Sequence, residues 1–262
     1  MSGCLTRRCS GGLVRSLPRP PLIDKALAIL MAEFTDLPFN AGELGEPTEE
    51  FVVWMDVMGI QVALKRSVKV AANFVYKIHH AALKFADPIT LYPVMDGIYA
   101  CATERATIEA FLSFVFRSVA KEFVQCVRLD FRFMVRAAVA HGAVYHGANL
   151  SKKASWTLGQ HPEYRQQILL GMPMVHAHLG EPEAPPFGVY VDESAVGFAS
   201  GPYPFDVWWR WYSEADADLV ASLRTELSSY YDNCTQEAAA SGYDVSRIRI
   251  HRGQASLYLR DG

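Results

Sequence analysis

Residues 51–60 read FVVWMDVMGI: five apolar residues, an acid, two more apolar residues, a glycine and an isoleucine. Preceded by the turn-prone PTEE, so short an apolar run reads as a strand buried on both faces. The strand delivers Asp56 to its end, Val57, Met58 and Gly59 turn the chain, and Ile60 begins a new element. A carboxylate at the mouth of a dry core is costly unless a cation, a metal or backbone amides accompany it. Asp56 is therefore a candidate site residue, although the same position also suits a plain N-cap of the following helix.

A second acid occupies a similar setting. In ITLYPVMDGIYACA two apolar runs, 89–95 and 98–102, flank Asp96-Gly97, a strong hairpin signal. Asp96 is then either a turn residue or the partner of Asp56.

The chain has 262 residues, 50% of them hydrophobic and 20% charged, enough for one domain with a sizeable core. A net charge of -3 offers no broad basic face, which argues against a nucleic-acid partner. Cys4, Cys9, Cys101, Cys126 and Cys234 form an odd set without CxxC spacing, as expected of free thiols in a reducing compartment. No apolar stretch reaches the roughly 18 residues of a membrane span, and no h-region marks a signal peptide. The expectation is a cytoplasmic protein with no membrane partner.

Residues 1–22 read as a flexible tail, and 23–50 as a short helix and an acidic linker. In 61–86, Leu64, Val68, Ala71, Val75, Ile78, Ala82 and Phe85 make a helical stripe, a helix whose first free N–H groups and positive dipole end would face Asp56. A second long helix spans about 104–126. Residues 131–139 alternate as a strand, with Arg132 and Arg136 on its polar face; His141-Gly142 turns it, and 143–146 pair back. Pro162 and Pro173 start short helices, 188–192 form a brief strand, Ser213 caps a long helix, and 246–251 with 255–259 alternate as a terminal hairpin. The order gives an α+β, ferredoxin-like βαββαβ core with C-terminal additions, in which 51–262 is one domain. That topology brings the end of the first strand beside the hairpin, so Asp56 and Asp96 meet.

Two carboxylates at a strand end suit a pair of hard divalent cations, Mn2+ or Mg2+, with the Val57 carbonyl as a further ligand. Such a site serves phosphoryl transfer by positioning and charge neutralisation.

FVVWMDVMGI, YPVMDGIYA, RAAVAHGAVYHG, LLGMPMVHAHL and GVYVDESA, in this order across about 50–196, resemble the class III nucleotidyl cyclase domain. Within it the chain is most similar to the bacterial pyrimidine cyclases of Pycsar antiphage defence. The resemblance implies conversion of a nucleoside triphosphate to a 3',5'-cyclic monophosphate and diphosphate. UTP is favoured as substrate, and the product is a second messenger read by a separate effector protein. It implies that Asp56 and Asp96 bind two metal ions, that Val57 lends its carbonyl, and that Met58, Gly59 and Ile60 hold the phosphates. It also implies a head-to-tail homodimer with a shared active site.

Two departures stand out. Where purine cyclases carry a base-reading Lys, this chain has Tyr92, which offers a ring and one hydroxyl to a base and equally suits packing in the hairpin. The family motif G-x-x-V-N-x-A-x-R meets Gly171, Met174 and Ala177, but Val175 and Leu179 stand at its Asn and Arg. Arg136, Arg132, Lys152, Lys153, His176 and His178 are left to meet charge on the phosphate, with Arg136 the first choice because its strand would neighbour the Asp96 hairpin. A cytidylate or purine cyclase, or an inactive cyclase-like interaction domain, is the alternative reading.

Overall fold

The computed structural model describes residues 39–237 and 242–260. The tail and helix expected before residue 39 lie outside the described residues. Seven strands form one sheet: β1 (Thr48–Met58), β2 (Thr90–Val94), β3 (Gly97–Ala102), β4 (Met134–His146), β5 (Leu169–Gly171), β6 (Val189–Val191) and β7 (Trp208–Trp209). They lie in the order β2-β3-β1-β4-β6-β7, with β5 beside β4, and only β4 and β6 run parallel. The first four strands thus have the split βαβ arrangement expected, and the chain is α+β.

Alternation along β1 divides the sheet. Val53, Met55 and Val57 face a large core with Val135, Ala137 and Val139 of β4. That face is covered by α2 (Val68–Leu83), α3 (Arg105–Gln125) and α7 (Ala217–Gln236), which contribute Ile78, Phe111, Val115 and Leu223. Val52 and Trp54 point the other way, into a smaller cluster with Tyr92, Tyr99, Cys101 and Ala140. This face is covered by α6 (Met172–Gly180), whose Ala177 joins the cluster. Val52 and Val53 are both fully buried, as a strand dry on both faces requires.

Several expected elements differ. The helix at 61–86 is two helices, α1 (Ile60–Arg66) and α2, because Ser67 is extended (φ −164°) and caps the second by accepting from the Val70 N–H at 3.4 Å. The helix behind Asp56 is therefore only seven residues long. β4 does not turn at His141-Gly142. It runs on to His146, because β1 begins at Thr48 and pairs with it as far as Val144. Gly142 there lets Pro173 approach, to 3.2 Å from where a Cβ would stand. Leu129–Phe131 form a 3-10 turn ahead of the strand.

The short helices α4 (Trp156–Gln160) and α5 (Pro162–Arg165) precede β5. Ser213 forms a capping box with Asp216 over a 3-10 turn that leads into α7. The expected terminal hairpin is a helix, α8 (Val245–Tyr258), capped by Asp244, with Ile248, Ala255 and Tyr258 buried on one side. The Trp-rich stretch 207–212, VWWRWY, supplies the edge strand β7 and a buried Trp211 whose indole donates to the Phe187 carbonyl at 2.7 Å. Cys101, Cys126 and Cys234 are free thiols. Among the described residues no helix is long and apolar enough to cross a membrane.

Candidate active site

Asp56 lies two residues before the end of β1, directly across from Arg136 of β4. On its other side, the β1–β3 register pairs Met55 with Ile98, which sets Asp56 opposite Gly97 and next to Asp96. The hairpin loop is Met95-Asp96, with Met95 in the left-handed region (φ 51°), rather than the Asp96-Gly97 turn expected. Gly97 is the first residue of β3, and its role is packing: an added Cβ would lie 2.3 Å from the Trp54 ring. The Trp54 ring therefore packs directly against Gly97, beside the Asp96 hairpin.

The aspartates act on each other electrostatically. Burial first, then the charges of Asp96 and Glu181, push the Asp56 carboxyl up to about 7, against weaker opposition from the Val57 N–H and Arg136. The Val57 N–H donates to Asp56 Oδ1 at 2.8 Å. Glu181, which caps the C-terminal end of α6 and is 5% exposed, is itself raised by burial, eased by Arg136 and His178, and raised further by Asp96. Three carboxylates thus share one edge of the sheet with too little positive charge among them.

Such an edge fits a hard cation, whose charge would offset the burial and the neighbouring acids that push the Asp56 carboxyl up. Among the described residues, no group of three or more His, Cys, Asp or Glu side chains is tight enough to hold a metal. An ion here would rest on Asp56, Asp96, the Val57 carbonyl and oxygens of a bound substrate, a donor set that suits magnesium or manganese.

Beyond Asp56 the chain turns at Gly59, whose φ of 76° favours glycine. Gly59 is also the N-cap of α1 and has no side chain to bond the first amides. The first N–H groups of α1, at the end of β1, therefore have no side-chain cap.

Arg136 is placed differently from expectation. β1 stands between its strand and the Asp96 hairpin, so it neighbours Asp56 rather than Asp96. Its guanidinium pairs with Glu181 and donates to the Pro182 carbonyl at 3.2 Å. Arg132 is 8% exposed and bound to Glu226 at 2.7 Å and to the Cys126 carbonyl at 2.9 Å. His178 sits edge-on to Trp54, its ring 5.4 Å away, and acts on Glu181; His176 lies 3.4 Å from Asp192. Lys152 and Lys153 lie in an exposed turn before α4.

Tyr92 is not presented to a base in the single chain. It is 3% exposed, and its hydroxyl pairs with His146 Nδ1 at 2.5 Å, while His146 Nε2 reaches Glu50 Oε1 at 2.9 Å. The sequence reading did not single out Glu50, His146 or Glu181. A sufficient signal existed for Glu181, since an acid at the C-terminal end of a helix opposes the helix dipole and needs a cation.

No family model and no curated protein matches the chain. Among solved structures it is similar to the monomeric guanylyl cyclase domain of the RhoGC fusion protein of Blastocladiella emersonii. The identity is 14% over 60% of this chain and 87% of that one, with a TM-score of 0.46. It is also similar to the guanylate cyclase domain of RhGC from Catenaria anguillulae in complex with GTP (13%, 59% and 84%, TM-score 0.44). A bacterial light-regulated adenylyl cyclase matches at 11% identity, over 70% of this chain and 60% of that one, with a TM-score of 0.42.

Proposed function

We propose that this chain is a metal-dependent nucleotidyl cyclase that converts a nucleoside triphosphate, UTP by preference, to the 3',5'-cyclic monophosphate and diphosphate. The observation that carries the reading is the charge-starved edge where Asp56 and Asp96 lie side by side next to the Gly59 turn. In the reaction the ribose 3'-oxygen attacks the α-phosphorus, its proton passes to solvent or a base, and the bond to the diphosphate breaks.

Asp56 and Asp96 would hold magnesium or manganese. When bound, the ions acidify the attacking hydroxyl and neutralise the polyphosphate. Amides of Met58, Gly59 and Ile60 would hold phosphate oxygens. Arg136, across from Asp56, would orient Glu181 and, once the substrate competes for it, a phosphate. The preference for a pyrimidine, the head-to-tail homodimer with a shared site, and the role of the product as an antiphage signal read by another protein rest on the resemblance to Pycsar cyclases.

One observation favours a second reading, a domain that binds nucleotide without turning it over. Val175 and Leu179, where the family motif has Asn and Arg, are 38% and 69% exposed apolar side chains that cannot donate to a phosphate. Incubation of the purified chain with each of the four ribonucleotides and manganese, followed by separation of the products, decides between the two. The proposal expects a cyclic mononucleotide, most rapidly from UTP; bound nucleotide with no product supports the second reading.

A further inference from the structure

A cavity of about 400 Å³ lies off the end of β1, behind the Gly59 turn. Val62, Val70, Phe74, Phe133 and Tyr230 give it an apolar wall drawn from α1, α2, the approach to β4 and α7. Its polar lining is unbalanced: Arg66, Arg132, Arg136 and Arg247 against Asp130 and Asp244. Both acids are already committed. Asp130 binds Arg128 at 2.7 Å, and Asp244 accepts from the Arg247 N–H at 3.1 Å to cap α8.

The arginines are not equally committed. Arg136 has Glu181 and Arg132 has Glu226, yet the buried Nη1 of Arg132 has no hydrogen-bond partner among the described residues. Arg66 and Arg247, both exposed, form no side-chain hydrogen bond or ion pair among the described residues, although their charges act on Asp130 and Asp244 respectively. His251, another lining residue, pairs through Nδ1 with the Tyr243 hydroxyl. Burial and then the charges of Arg136 and Arg247 hold its imidazole down at about 4. The cavity is therefore a positive space with an aromatic wall; Met58, Gly59 and Arg136 line the side toward the end of β1, but neither Asp56 nor Asp96 lines it.

An apolar pocket of this size with a few convergent charges is the usual form of a small-molecule site, and guanidinium groups select phosphate. We propose that this cavity is a second binding site, separate from the acid pair, for a small aromatic phosphomonoester. Its ring packs against Phe74, Phe133 and Tyr230, and its phosphate lies between Arg66 and Arg247. The site adjoins the Gly59 turn and Arg136 of the proposed cyclase site but needs neither aspartate nor a cation, so loss of the aspartates separates the two.

Calorimetric titration without divalent cations tests it, with phenyl phosphate, inorganic phosphate and phenol as probes. The full chain is compared with the Asp56→Asn/Asp96→Asn variant and with Arg66→Gln and Arg247→Gln, which alter exposed side chains. The expected result is one phenyl phosphate site per chain, about tenfold tighter than for either fragment probe. Affinity should be kept or raised in the double aspartate variant and weakened about tenfold by each arginine variant. Absence of binding at about 10 mM, affinity indifferent to both arginines, or affinity lost with the aspartates would overturn the proposal.

Discussion

The two faces of the sheet are built from the same strands and differ in what their alternate residues must do. On one face Val53, Met55, Val57, Val135 and Ala137 meet three long helices, and all five are 1% exposed or less. On the other, the next residues along are Trp54, Asp56, Arg136 and Ala138, covered by the nine-residue α6 and the 3-10 turn Glu181–Glu183 that follows it. Polar groups survive there because each has a partner: Tyr92 with His146, His146 with Glu50, Arg136 with Glu181. Asp56 differs in its charge environment: it accepts from the Val57 N–H, but burial and the charges of Asp96 and Glu181 outweigh that bond and Arg136, and this marks the candidate site.

The contrast breaks most visibly on the dry face. Phe111→Ala, at 1% exposure in α3, should cost about 3–5 kcal/mol, read as a shifted denaturant midpoint. On the other face, Asp56→Asn should stabilise the metal-free chain. Asp56 is raised from 3.8 to about 7, so between these values the folded chain holds a proton that the unfolded chain has released. Stability contributed at this position is therefore greatest below about pH 4 and lost as pH rises through about 7. The melting temperature gained by Asp56→Asn should be a few degrees above pH 7 and vanish toward pH 4, and a gain that grew on acidification would contradict the assignment.

Tyr92→Phe should cost about 1–2 kcal/mol by leaving the half-buried His146 Nδ1 without its partner, measured by urea unfolding at neutral pH. The smallest effect belongs to Leu179→Arg, at 69% exposure on α6. It should leave single-chain stability within about 0.5 kcal/mol in the same assay.

The same contrast explains what could be read in advance. The dry face was legible because an apolar run admits one interpretation: FVVWM is a buried strand, and Ile108, Phe111, Val115, Val119 and Phe123 are all buried along α3. The approach of Asp56 to Asp96 followed from topology alone. What escaped reading depended on tertiary context. Gly97 looked like a turn residue because nothing local shows that Trp54 lies against it. Glu50 looked like part of a turn because β1 starts three residues before the apolar run. In 245–258 alternation competed with a helical period, and Asp244 as an N-cap resolved it toward helix.

The proposed reaction requires the two aspartates to work as one device on one substrate. The most direct test is the rate of cyclic nucleotide formation from UTP with manganese, for the parent chain, Asp56→Asn, Asp96→Asn and the double variant. Each single change should lower the rate by about a thousandfold or more, and the double variant should be no worse than either. Single variants that keep the parent rate, or losses that simply multiply in the double variant, would contradict that requirement.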